Sequence, residues 1–316
     1  MSDTFLITGA TGFVGANIVR RLVNDKRNVH IVTRSKKLNW RLSDITSKVT
    51  IHEVSLLDPQ IYKIIARIKP DYVFHLAAFG SLPDEESMDE LINVNLRGTI
   101  NLIQALKQNK FKLLINTGSS SEYGVTGRKM RETDLPFPIN DYGVVKTAVT
   151  LYAHKEAVRN SLPIITFRLF SAYGPYEHKP RFIPTVIRAA IKNEPILVGS
   201  KKNVRDFIYI DDIVDAYLHA CTVKVKPGEI FNIGTGRQYS IGEVVNKILK
   251  VAKSKSQVKW GVIPSQSRQV ESGKWQADTA KCAKILNWKA KHNLTYGLRK
   301  TIEWFRGNNK LYEKNQ

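Results

Sequence analysis

Tyr142 and Lys146 stand four residues apart in "DYGVVK", a spacing that puts both side chains on one face of a helix. A free tyrosine, with a pKa of about 10, exchanges protons poorly at neutral pH. A neighbouring ammonium favours the phenolate and lowers that pKa, which makes the pair a competent general acid–base. Upstream, "GSSSEYG" places Ser119 at the end of an apolar run. The three residues together form a Ser-Tyr-Lys set.

A second group of residues is suited to holding a dinucleotide. "TGATGFVG" supplies Gly9, Gly12 and Gly15 directly between the apolar strand "TFLITG" and the helical stretch "FVGANIVRRLVND". Glycines there permit a tight turn and let the backbone approach a pyrophosphate at the helix N-terminus. Their position between strand and helix is what gives the triplet its meaning. A site for NAD carries an acid after the second strand to accept hydrogen bonds from the ribose 2′-hydroxyl, whereas an Arg accommodates a 2′-phosphate. The second strand, "NVHIVTR", leads into "SKK", and the run from Lys26 to Ser43 contains no Asp or Glu. Arg34 can pair a phosphate bidentately, with Ser35 adding a hydroxyl and Lys36 and Lys37 adding charge. The expected cofactor is therefore NADP, as NADPH, with NAD the alternative.

These residues need a frame, and the first half of the chain provides it. Short apolar strands ("TFLITG", "NVHIVTR", "KVTIHEV", "DYVFHLAA", "FKLLINTGS") alternate with amphipathic helices, including the long stretch "SMDELINVNLRGTINLIQALKQNK". That alternation implies right-handed crossovers and an α/β fold with a doubly wound parallel sheet of Rossmann type. After about residue 170, Pro175, Pro180, Pro184, Pro195, Pro227 and Pro264 punctuate shorter elements. "SIGEVVNKILKVAK" begins with a capping box at Ser240 and Glu243, and "DTAKCAKILNW" and "NLTYGLRKTIEWF" read as further helices. The expected division is a dinucleotide-binding domain over 1–170 and, over 171–316, a smaller C-terminal lobe for substrate, with some segments returning to the first domain.

Composition narrows the function classes. The 316 residues carry a net charge of +21, but the basic residues are dispersed and no nucleic-acid-binding module is recognisable, so anionic small molecules are the expected partners and nucleic acid is not. No apolar run approaches the roughly 20 residues that span a bilayer. "FLITGA" has no basic region before it, so no leader is expected, and the two cysteines, Cys221 and Cys282, suit a reducing cytoplasm. Both are read as core residues on apolar helix faces, His75 as packing at a strand end, and Trp275 and Trp288 as lobe-packing residues.

Taken in order, "TGATGFVG", "FHLAA", "NVNLRGT", "YGVVK", "RLFSAYGP", "VRDFIYIDD", "FNIGTG" and the tail "QADTAKCAKILNW" resemble an extended short-chain dehydrogenase/reductase of the nucleotide-sugar epimerase/dehydratase kind, over nearly the whole chain. The resemblance implies that Tyr142 exchanges a proton at a sugar hydroxyl or ketone, that Lys146 tunes Tyr142 and holds the nicotinamide ribose, and that Ser119 hydrogen-bonds the reacting oxygen. It implies cofactor contacts from Phe13, Val14, Leu76, Ala77, Ala78 and Asn95, with Tyr142 and Lys146 among them. It places substrate at Ser120, Ser171 and Arg181, with Arg205 and Arg268 on the diphosphate. A homodimer is a further implication of the resemblance.

Three chemistries share such a scaffold. A 4,6-dehydratase resembles its relatives in having an acid just after the catalytic Ser or Thr, because loss of water needs an extra acid and base. Here serines follow Ser119 and the one acid, Glu122, precedes Tyr123. That leaves a 4-ketoreductase, which consumes NADPH, and a 4-epimerase, which keeps its NAD. "TRSKK" favours the reductase, and "GSSSEYG" is similar to 4-ketoreductases such as CDP-abequose synthase. The epimerase is the alternative, and a cofactor-binding protein with dead chemistry a third. Two positions depart from the family pattern: Ser171 stands where Asn is frequent, and Ser55 opens "SLLD" where an Asp is usual.

Overall fold

The computed structural model describes residues 3–36, 38–80, 87–262 and 273–313. Seven parallel strands form the main sheet in the order β3-β2-β1-β4-β5-β6-β11. They are β1 (Thr4–Thr8), β2 (Asn28–Thr33), β3 (Thr50–Glu53), β4 (Tyr72–His75), β5 (Leu113–Ser119), β6 (Ile164–Leu169) and β11 (Ile230–Ile233). The chain order reverses at β1, so a crevice opens between the carboxyl ends of β1 and β4, where doubly wound sheets take their ligands.

Alternation along β1 shows why both faces are covered. Phe5 and Ile7 point into one core with α1 (Phe13–Asn24) and α7 (Ile210–Ala220). Leu6 points into a second core, built by α2 (Gln60–Ile68), α4 (Gly98–Lys107) and α5 (Asp141–Asn160). Successive strand side chains face opposite ways, and a strand buried on both faces reads as an unbroken apolar run. Residues 88–107 are one continuous helical stretch, as the periodicity predicts, yet not uniformly α. The short α3 (Met88–Glu90) leads into a π-helical segment, Leu91–Arg97, which passes into α4. Such wider turns recur at functional sites, and this one carries the buried Asn95.

The C-terminal third adds α6 (Phe182–Lys192), α8 (Ile241–Ala252) and α9 (Leu294–Glu313), with paired short strands β7 (Ser171–Tyr173) with β10 (Phe207–Tyr209), β8 (Ile196–Val198) with β13 (Val258–Trp260), and β9 (Val204–Arg205) with β12 (Tyr239–Ser240). The capping box forms as its sequence dictates: the Glu243 amide donates to Ser240 Oγ (3.1 Å), and the Ser240 amide donates back to the Glu243 carboxylate (2.7 Å). "DTAKCAKILNW" differs from the expected α-helix by winding as a π-turn over Cys282–Leu286, ended by Asn287 at φ +52°. Cys282 is buried there, while Cys221 sits half-buried just past α7.

One carboxylate ties its own segment to two distant ones. Asp206 accepts from the Thr235 and Gly236 amides (2.9 Å each), the Thr235 hydroxyl (2.6 Å) and the Ala277 amide (3.1 Å). Its burial pushes the pKa up to about 6 despite these donors. A buried pair joins β6 to the turn after β5. Arg168 Nε donates to Glu122 Oε2 at 2.7 Å, with both side chains almost wholly buried. The Arg168 guanidinium also lies 4.5 Å from the Tyr123 ring centroid. Removing one member of a buried pair leaves an uncompensated charge. Glu122→Gln is accordingly expected to destabilise the fold by about 3–5 kcal/mol, read as a lowered urea midpoint with an unchanged slope.

Candidate active site

The turn between β1 and α1 is built by contacts only glycine permits. Gly9 has φ +70°, and a Cβ there would lie 2.4 Å from the Ala77 amide nitrogen. A Cβ on Gly15 would lie 2.2 Å from the Gly9 carbonyl oxygen. The turn is thereby pressed onto Leu76 and Ala77 at the end of β4. Gly12 caps α1 and is exposed, with no side-chain cap and no acid in the first helical turn. Phe13 and Val14 pack partly into the core beneath. Exposed glycine at the start of an uncapped helix fits a pyrophosphate. The Thr11 carbonyl is held from below by Asn39 Nδ2 (2.8 Å) and by the Arg41 guanidinium (3.4 Å).

Arg34 is the first residue after β2 and, like Ser35 and Lys36, is exposed; Lys37 lies outside the described residues. The first acid downstream, Asp44, is engaged by Arg20. The basic end of β2 is thus not offset by a carboxylate from its own loop. In the loop after β4, Ala78 is exposed. Asn95 grips the backbone next to it, accepting from the Phe79 amide (2.7 Å) and donating to the Phe79 carbonyl (3.0 Å). Its amide braces the loop that follows β4. His75, expected as packing, is instead a hydrogen-bonding node, 2.6 Å from Thr8 Oγ1 and 2.8 Å from Thr99 Oγ1. Burial, with the nearby Lys146 charge, drops its pKa to about 3, so it stays neutral.

Helix α5 begins against the turn that follows β5. Asn140 caps it by accepting from the Gly143 amide (2.8 Å), and a Cβ on Gly143 would lie 2.6 Å from the Ser121 carbonyl oxygen. That close approach brings the half-buried Tyr142, one residue earlier, beside the serine turn. Ser119 starts the turn: its hydroxyl accepts from the Ser121 amide (3.1 Å), and its amide donates to Glu122 Oε1 (2.8 Å). One helical turn on from Tyr142, Lys146 is buried and donates to the Thr117 carbonyl. Burial lowers its pKa to about 8, against the opposing pull of Glu122. The Thr117 hydroxyl is fixed in turn by Tyr217 at 2.6 Å.

The expected substrate residues divide. Ser120 is buried and accepts from Trp275 Nε1 at 3.2 Å, and the Trp275 ring lies 4.5 Å from the Arg205 guanidinium. Ser171 opens β7, its amide donating to the Asp206 carbonyl (3.0 Å). Arg181 stands at the start of α6 beside Glu177, whose burial raises its carboxyl to about 8. Arg268 lies outside the described residues. Thr117 and Trp275 went unread as site residues: a carbonyl leaves no mark in sequence, and Trp275 is 155 positions from the serine it touches. Trp288, by contrast, donates through its indole to Asp215 (3.1 Å) on α7.

Residues 5–234 match the sequence model of the NAD dependent epimerase/dehydratase family. The chain belongs to this family. Among its relatives, a UDP-N-acetyl-alpha-D-glucosaminuronate decarboxylase of Bacillus cytotoxicus is 30% identical, over 97% of this chain and 98% of that one. A probable dTDP-glucose 4,6-dehydratase of Sinorhizobium fredii is 28% identical over 95% and 92%. In structure, MoeE5 in complex with UDP-glucuronic acid and NAD superposes with a TM-score of 0.86 at 31% identity, covering 96% of this chain and 99% of that one. As a member of the epimerase/dehydratase family the protein is an enzyme of the short-chain dehydrogenase/reductase type, with the seven-stranded Rossmann sheet of that family.

The Lys146 ionisation follows from its surroundings. It is an ammonium below about pH 8 and an amine above, so any electrostatic pull it exerts on the Tyr142 hydroxyl is complete below that pH and fades as pH rises through it. In protein labelled on the lysine ε-carbon, one resonance is expected to titrate near pH 8 and to vanish in Lys146→Met; a Lys146 signal unmoved below pH 10 refutes the assignment.

Proposed function

We propose that this protein reduces the 4-keto group of a nucleotide-linked 6-deoxy sugar, with NADPH as cofactor. The observation that carries the reading is the end of β2, where exposed Arg34 replaces an acid and the only acid of the following loop, Asp44, is engaged by Arg20. A 2′-phosphate gains from that arrangement what a bare 2′-hydroxyl cannot.

The residues divide the chemistry. A dinucleotide held by the Gly9–Gly15 turn and Arg34 would supply the hydride that C4 receives. Ser119 hydrogen-bonds the C4 oxygen and Tyr142 donates the proton that the new alkoxide requires. Lys146, anchored on the Thr117 carbonyl, stabilises the tyrosinate that remains. The guanidinium of Arg205 faces the diphosphate. Water loss of the 4,6-dehydratase type lacks its acid here, because Glu122 is wholly buried and both its oxygens are engaged, by Arg168 and by the Ser119 amide.

A second reading, a 4-epimerase retaining NAD, is favoured by one comparison: UDP-glucuronic acid 4-epimerase of Bacillus cereus, in complex with UDP-glucuronic acid and NAD, has a TM-score of 0.85 at 25% identity over 96% of this chain and 99% of that one. The cofactor separates the two, since loosely held NADPH fits a reductase and tightly retained NAD an epimerase. A homodimer is supported by the exposed apolar stripe Val144, Leu151 and Val158, seven residues apart along α5, and sedimentation tests it.

Tyr142→Phe is expected to lower kcat about 10²- to 10⁴-fold, the worth of a positioned acid, with cofactor binding retained; near-normal turnover refutes the mechanism. Arg34→Asp should weaken NADPH about 10- to 100-fold, as loss of a charge-assisted hydrogen bond predicts, and leave NADH within a few-fold. Equal loss of both cofactors, measured by fluorescence titration, makes Arg34 structural and turns the choice toward NAD.

A further inference from the structure

We infer that Trp275 is a positioning residue that sets the substrate's diphosphate end relative to its reacting end; this rests on the nucleotide-sugar reading above. Trp275 lies in the short run 273–278 that reaches the crevice from the C-terminal third. Its backbone is pinned from both sides, since the Trp275 amide donates to Gln238 Oε1 (3.0 Å) and the Gln276 side chain donates to the Gly236 carbonyl. Ala277 next to it is held by Asp206. The ring is 7% exposed and rests in a small apolar cluster with Tyr123, Met130, Phe170 and Ala277.

From that fixed seat the indole makes two polar contacts of different kinds. Its face carries the Arg205 guanidinium, 4.5 Å from the centroid, an attraction between the cation and the ring's π-face. Its N–H donates to Ser120 Oγ (3.2 Å), which fills one acceptor position of that hydroxyl and leaves its proton to be donated elsewhere. Ser120 adjoins Ser119, the residue assigned to the reacting oxygen. Arg205 is assigned to the phosphates on the far side of the sugar. One rigid side chain therefore spans both ends of the substrate, and a rigid spacer of this kind fixes the distance between a charge clamp and a reacting atom.

The prediction separates the two contacts. UDP, dTDP, CDP and GDP are titrated into wild-type protein by calorimetry, and the tightest is carried forward as probe. Trp275→Leu removes both contacts and is expected to weaken that diphosphate about 10-fold, the scale of a partly desolvated cation–π contact, without changing cofactor affinity. Trp275→Phe keeps the ring face and should restore binding to within about 3-fold of wild type. In an Arg205→Ala background, Trp275→Leu should add no further loss, because the ring then has no cation to hold. Binding unaffected by Trp275→Leu, no rescue by Phe, or a full additional loss in the Arg205→Ala background each overturns the inference and leaves the nucleotide-sugar reading standing. Failure of all four diphosphates to bind wild-type protein overturns that reading and the inference together. A Trp275→Leu protein that does not fold shifts the decision to Trp275→Phe paired with Trp275→Tyr, where weakening of the probe by both ring-retaining variants overturns the inference.

Discussion

An ammonium buried beneath the proposed reaction centre governs the arrangement of this site. Desolvating Lys146 costs free energy that only a fixed acceptor can offset, and the Thr117 carbonyl at the end of β5 is that acceptor. The carbonyl must not move, and Thr117 is tied through its hydroxyl to Tyr217 on α7, across the sheet from α5. Glu122, the carboxylate whose charge acts on Lys146, opposes the lowering of its pKa. Glu122 is occupied by Arg168 and the Ser119 amide. A direct Glu122–Lys146 pair would hold the ammonium firmly charged and screen it from Tyr142. Diverting the acid to Arg168 leaves the charge poised near neutrality, available to the tyrosine one turn away.

The same economy of charge appears on the cofactor side. His75 stands near Lys146, yet burial and that ammonium together keep it neutral. A second cation there would depress the lysine further. Neutral His75 instead links Thr8 at the end of β1 to Thr99 in α4, and through Asn95 to the loop after β4. The crevice at the reversal of strand order is thus braced on this side by hydrogen bonds between neutral groups.

Much of this was legible in the sequence because it is encoded locally. The glycine turn, the strand alternation, the Ser240 cap and the Tyr142–Lys146 spacing are each written within a few residues, where backbone conformation and periodicity act directly. The π-turns at 91–97 and 282–286 were not legible, since a π-turn and an α-turn share the same apolar face over so short a span. Trp275 also looked like packing, and part of it is. Its second role depends on Ser120 and Arg205, which lie 155 and 70 positions away, and a pairing fixed by the tertiary fold leaves no pattern in the chain.

The net charge of +21 acquires a physical sense from the site's own balance. Both molecules that the crevice is proposed to receive are anions, carrying pyrophosphate or diphosphate groups. Fields from dispersed lysines and arginines sum over the surface and raise the local concentration of such ligands. That long-range attraction is indifferent to which anion arrives, and salt screens it within about a Debye length, roughly 8 Å at physiological ionic strength. Selection has to come from short-range contacts where water is excluded. The exposed guanidinium of Arg34 and the ring-held guanidinium of Arg205 occupy opposite extremes in this respect. The first is an open, exposed cation, and the second is a partly desolvated cation held against a ring. A ligand must fit the fixed seat of the second to benefit from it, so under the proposed reading the Trp275 end of the crevice selects for how a diphosphate is placed, while the β2 end selects for a 2′-phosphate.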